Sequence, residues 1–142
     1  MTWGIRVMSS YPNCKTILCI DDDDGVLSYH RALLERRGYE VLTAASARQG
    51  LQIAKLCDVA AVILDYHMPE MNGHEVASEI KRIRPQIPII MVSSDTQIPA
   101  HALKVVDAFV SKDEARSRLL PVITQICGED ASAPPESERI IA

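Results

Sequence analysis

Apolar and polar positions alternate along the chain in a regular rhythm. The run "TILCI" (16–20) reads as a strand. It is followed by "GVLSYHRALLERRG", in which Val26, His30, Leu33, Leu34 and Arg37 trace a helical stripe ending at Gly38, a natural residue for the position after a helix. "YEVLTA" (39–44) is a second strand, and Ser46 is placed to cap a helix carrying Leu51, Ala54 and Cys57. "VAAVILD" (59–65) and "IPIIMV" (87–92) are apolar at successive positions, as a parallel strand covered on both faces must be. Between them, Val76, Ile80 and Ile83 mark a helix stopped by Pro85. A short helix is expected over roughly Pro99 to Val106, then a fifth strand "AFVS" (108–111), then a last helix burying Leu119, Leu120, Ile123 and Ile126.

Five strand-then-helix repeats predict an α/β fold, an open parallel sheet wound on both faces, with right-handed crossovers. Residues 15–127 are expected to form this one domain, after a leader over 1–14 and before a disordered polar tail over 128–142 with no room for an output domain. The 142 residues suit a single core, and aromatics at 4% make that core aliphatic. A net charge of −4 argues against a nucleic-acid or anionic-membrane surface. No apolar run reaches the ~20 residues of a membrane span and the first residues lack a signal peptide's apolar stretch, so a cytoplasmic location is expected. The four cysteines, Cys14, Cys19, Cys57 and Cys127, form no C-x-x-C pair. Cys19 and Cys57 read as small buried hydrophobes.

In open α/β sheets ligands sit beyond the carboxyl ends of the strands. Those ends here carry Asp21 and Asp22, Asp65, Ser93 and Ser94, and Ser111 and Lys112. Three carboxylates, a hydroxyl and an amine thus converge on one edge. The tetrad "DDDD" (21–24) is self-repelling, by roughly 1 kcal/mol per close pair in water and several times that near a protein surface. A solvated turn is the plain explanation of such a run; a hard divalent cation is the sharper one. Asp65 can attack an activated phosphorus, provided that Mg2+ and an ammonium such as Lys112 neutralise the charge that gathers there. Ser93 can donate a hydrogen bond to a phosphoryl oxygen.

These residues resemble the receiver domains of two-component response regulators over about Lys15 to Cys127. "VILDYHMPEMNG" (62–73) is similar to the family's phosphoacceptor segment with Asp65 as acceptor, and "ILCIDDDDGVL" to its acidic pair with Asp21 and Asp22. "PIIMVSS" sets Ser93 on the phosphoryl-sensing hydroxyl, while "AFVSK" sets Phe109 on the switch aromatic and Lys112 on the family's lysine. The resemblance implies a flavodoxin-like sheet of order 2-1-3-4-5, and Mg2+ held by Asp21, Asp22, Asp65 and the backbone carbonyl of His67. It implies phosphoryl transfer to Asp65 from a histidine kinase or a histidine phosphotransfer protein. Switching through Ser93 and Phe109 would then remodel the face of the fourth helix, fifth strand and fifth helix toward a downstream protein. The resemblance also implies that the side chains of His67 and Asp95 border the phosphoryl site, where such neighbours tune dephosphorylation; His67 reads equally as a bystander.

Asp113 stands where the family commonly has a proline after the lysine, and the stretch from Ser93 to Lys112 is short, so this loop and the fourth helix are expected to differ from relatives. His30, His74 and His101, at no ligand spacing, are expected on the surface or in caps, and Arg31, Arg36 and Arg37 on a solvated helix face. "DDDGV" (22–26) also fits the start of haloacid-dehalogenase-type phosphatases, with Asp22 as nucleophile and Asp24 as acid; no further strand is expected after Lys112 to carry the acidic pair that those enzymes have there. A receiver-like docking module that no longer switches is the third reading.

Overall fold

A computed structural model describes residues 15–95 and 97–128. The expected leader and tail, Cys14 included, lie outside the described residues except for Gly128. The elements run β1 (Thr16–Ile20), α1 (Asp24–Glu35), β2 (Glu40–Ala44), α2 (Ala47–Leu56), β3 (Ala61–Asp65), α3 (Gly73–Ile83), β4 (Ile89–Ser93), α4 (Ala100–Leu103), β5 (Ala108–Ser111), a 3-10 turn (Lys112–Glu114) and α5 (Ala115–Cys127). The five strands are parallel, in the order β2-β1-β3-β4-β5.

Both faces of the sheet are covered, which is why the central strands read as unbroken apolar runs. Successive side chains of a strand point to opposite faces. Ile17, Cys19 and Ile63 therefore pack with Leu34 of α1 and Leu119 and Ile123 of α5, while Leu18, Ile20, Val62 and Leu64 pack with Ala54 of α2 and Val76 and Ile80 of α3. Each large aliphatic side chain so buried contributes about 1.5–3 kcal/mol. Cys19 lies inside the first cluster, where burial pushes its thiol up to about 12 and leaves it inert at neutral pH. Cys57 is only half-buried and caps the carboxyl end of α2.

Local signals set the helix ends. Ser46 accepts a hydrogen bond from the Gln49 amide, and Asn72 and Glu75 close a reciprocal capping box at the start of α3. Gly38 follows α1 with φ 91°, a conformation that costs glycine nothing. Within α1, the buried side is Leu27, His30 and Leu34; Val26 and Leu33 are half-buried, and Arg37 lies past the helix end, exposed. His30, expected at the surface, is 2% exposed. Burial holds its pKa below the ordinary histidine value, with the Asp21 carboxylate opposing and the Lys112 ammonium adding to the effect.

The fourth helix is the largest departure. Only Ala100–Leu103 is helical, one turn against an expected two. Pro99 offers no side-chain cap and Ala102 alone of the turn is buried, so little holds a longer helix in place. The bond between Lys112 and Asp113 is trans, as are all peptide bonds among the described residues.

Candidate functional site

The register carries the reactive residues to one edge. Ile20 aligns with Leu64 across β1 and β3, so Asp21 emerges beside Asp65. Asp65 aligns with Val92, one residue before Ser93, and Ser93 aligns with Ser111, one residue before Lys112.

The acidic tetrad divides its labour. Asp21 is buried, its amide bonded to the Ala44 carbonyl and its Oδ1 accepting from the Asp23 amide at 2.9 Å. Asp22 is exposed at the rim. Asp23 caps α1, its Oδ1 accepting from the amides of Gly25 and Val26 at 2.8 and 3.2 Å. Asp24 occupies the first turn of α1, where the helix dipole favours an anion. Capping by Asp23 was not anticipated; an Asp directly before the apolar stripe was the available signal.

Asp21, Asp22 and Asp65 each offer a carboxylate oxygen, all within 4.8 Å of one another. Lys112 Nζ lies 3.1 Å from Asp21 Oδ2 and 3.2 Å from Asp65 Oδ1. Burial lifts the pKa of Asp65 to about 6, helped by the Asp21 charge and opposed by Lys112 and by a hydrogen bond from the His67 backbone. Burial also works against the Lys112 ammonium, but its hydrogen bond to Asp21 and the charges of Asp65 and Asp21 outweigh it, leaving its pKa above the ordinary lysine value.

A cation fits this set on two counts. One ammonium against three carboxylates leaves two negative charges uncompensated at close range. Asp21 Oδ2 is buried and receives no hydrogen bond from the described backbone, leaving the Lys112 ammonium, 3.1 Å away, to answer it alone. Three hard oxygens in a partly open cluster match Mg2+, which takes one or two carboxylates and keeps waters.

Ser93 is fully buried, its Oγ accepting from the Asp95 amide at 3.0 Å. His67 and Asp95 lie in the loops after β3 and β4. Their side chains meet, Nε2 3.4 Å from Oδ2, so the two expected neighbours of the site also touch each other. Phe109 is half-buried in β5, backbone-paired with Met91 and outside both aliphatic clusters. His74 and His101, 27 positions apart and expected as unrelated surface residues, bring their rings to 4.8 Å between α3 and α4.

The chain matches the family model of the response regulator receiver domain over residues 17–124. It is 32% identical over 126 residues to transcriptional regulatory protein GlrR of Escherichia coli, covering 87% of this chain and 28% of the relative. With response regulator SaeR of Staphylococcus aureus it shares 31% over 81 residues, 57% of this chain and 35% of the relative. The chain thus spans about a third or less of the length of these curated relatives. Among solved structures, a CheY-like response regulator receiver domain protein from Methanospirillum hungatei is similar with TM-score 0.78 and 30% identity, over 82% of this chain and 96% of that one. Response regulator protein TrrA of Thermotoga maritima, solved in complex with Mg(2+)-BeF, gives TM-score 0.75 and 26% identity over 79% and 98%. A doubly wound sheet of this order, an acidic cluster with its lysine at the strand ends, and a family match across most of its length make this chain a member of the response regulator receiver domains of two-component systems.

Proposed function

We propose that the domain accepts a phosphoryl group on Asp65 from the phosphohistidine of a histidine kinase or histidine phosphotransfer protein, with Mg2+ bound. The observation that carries this reading is the meeting of Asp21, Asp22 and Asp65 within 4.8 Å, with Lys112 in contact with two of them. That TrrA was solved with Mg(2+)-BeF supports it.

Asp21, Asp22, Asp65 and the His67 carbonyl would hold the ion, which when bound lowers the charge on the attacking carboxylate and on the phosphoryl oxygens. One oxygen of Asp65 attacks phosphorus in line as the bond to the donor imidazole breaks, and the imidazole leaves with the electron pair. Lys112 neutralises an equatorial oxygen, and Ser93, whose Oγ only accepts from the Asp95 amide, has its O–H left to donate a hydrogen bond to another. Water attacking the same phosphorus later returns Asp65 and phosphate. The domain promotes these two steps on itself, and its output is a conformation. Phe109, half-buried in β5, would turn inward as the switch aromatic, and the face of α4, β5 and α5 is offered to a downstream protein, with Leu103 exposed on it.

Lys112 pairs with Asp21 and Asp65 and has no ion pair with Asp22, which favours Asp65 over Asp22 as nucleophile and the receiver over a haloacid-dehalogenase-type phosphatase. No helix among the described residues is long and apolar enough to cross a membrane. The test is incubation with Mg2+ and a small acyl phosphate, trapping of the modified side chain and mapping by mass spectrometry. Label on Asp65, lost in Asp65→Asn, is expected. Label on Asp22 with turnover supports the phosphatase, and absence of label supports a docking module.

A further inference from the structure

His74 stands in the first turn of α3, directly after Gly73, whose amide bonds to the Tyr66 carbonyl in the loop behind the acceptor strand. His101 belongs to the single turn of α4. Their ring centroids are 4.8 Å apart and their planes near perpendicular, at 88°. Nδ1 of His74 is buried and makes no hydrogen bond among the described residues. A buried ring nitrogen left so is unfavourable until something binds it, and the ring as a whole is half-buried.

A metal ion satisfies such a nitrogen, and the spacing suits one. With an imidazole nitrogen about 2.0–2.1 Å from the ion, each ring centre lies about 3.2 Å from it. Two centres 4.8 Å apart then subtend about 97° at the ion, between the octahedral and tetrahedral angles. The rings meet edge to face at present, but turning an imidazole about its Cβ–Cγ bond redirects its nitrogens while leaving its centre nearly in place.

We propose that His74 and His101 form a second cation site, selective for a borderline transition ion such as Zn2+, Ni2+ or Cu2+, with water completing the coordination. The ligand chemistry separates it from the acidic cluster, because imidazole prefers these ions and carboxylate oxygens prefer Mg2+. An ion held there ties α4, whose only buried residue is Ala102, to the first turn of α3. None of its ligands belongs to the acidic cluster, so the proposal stands whether or not Asp65 is the acceptor.

The test is calorimetric titration with Ni2+ in saturating Mg2+, alongside hydrogen exchange over residues 97–106. One Ni2+ is expected to bind, slowing exchange in that segment, with affinity falling by about tenfold or more in His74→Ala and in His101→Ala and retained in Asp22→Ala. His101 is exposed, so its variant folds and carries the test if that of His74 does not. No Ni2+ binding, binding that survives loss of His101, or binding lost in Asp22→Ala overturns the proposal.

Discussion

Lys112 Nζ reaches Asp65 Oδ1 at 3.2 Å from the far side of β4, with the buried Asp21 taking a second contact at 3.1 Å. The lysine therefore holds two carboxylates that would otherwise repel each other and Asp22. Replacing it with methionine keeps the aliphatic stem and removes the charge. Carboxyl titration by NMR is then expected to show the Asp65 pKa moving above its present value of about 6, and acyl-phosphate labelling is expected to slow by roughly 100-fold or more. An unmoved pKa contradicts the role given to Lys112.

The raised pKa of Asp65 makes its charge a burden on the folded state. Its folded value of about 6 lies above the unfolded one, so folding takes up a proton between the two and stability from this group rises as pH falls through that window. Asp65→Asn is accordingly expected to stabilise the metal-free protein at pH 7 by about 1–2 kcal/mol, after allowance for solvent screening. The gain should shrink through pH 6 and vanish near pH 4. Saturating Mg2+ should also narrow it. Urea unfolding at several pH values measures this, and a variant less stable than wild type at pH 7 contradicts it.

Two neighbours in the tetrad are expected to separate cleanly. Asp23→Ala removes the cap of α1 and should cost about 1 kcal/mol of stability with little change in Mg2+ affinity. Asp22→Ala, at the exposed rim, should leave stability nearly unchanged and weaken Mg2+ binding by about tenfold or more. Equal effects of the two on Mg2+ affinity contradict the division.

Gly73 has no room for a side chain. A Cβ there would lie 2.7 Å from Tyr66 Cα and 2.9 Å from the Asp65 carbonyl oxygen, both backbone atoms. At Gly50 the closest atoms belong to the Ile20 side chain, which can yield in part. Gly73→Ala is expected to cost about 3 kcal/mol, at the top of the usual overpacking range or beyond, and to slow labelling of Asp65 by displacing the acceptor loop. Gly50→Ala should cost less and leave labelling of the folded fraction intact. Chemical denaturation with parallel labelling checks both.

How far the sequence could be read follows from where each residue gets its position. The strands were legible because both sheet faces are covered, so Ile17 through Ile20 and Ala61 through Leu64 had to be apolar without alternation. Asp21, Asp65, Ser93 and Lys112 were legible for the same reason: each follows or closes such a run, and parallel strands deliver their carboxyl ends to one edge. The fourth helix was not, since Val105 and Val106 look helical but turn in loose 3.4 Å bonds to the Ala102 and Leu103 carbonyls. His30 falls on the helical stripe of α1, as its spacing says, and its polarity alone made it read as a surface residue. The contacts of His67 with Asp95 and of His74 with His101 join different loops and helices, and no periodicity within one element reports such a meeting.

Asp22 and Asp65 are expected to share one divalent ion. Crystals grown with Mn2+, which anomalous scattering locates without reference to the protein phases, measure this directly. The expected result is a single strong peak about 2.1 Å from a carboxylate oxygen of both Asp22 and Asp65, absent in Asp22→Ala. A peak bound to only one of them, or a peak undiminished in that variant, contradicts the site.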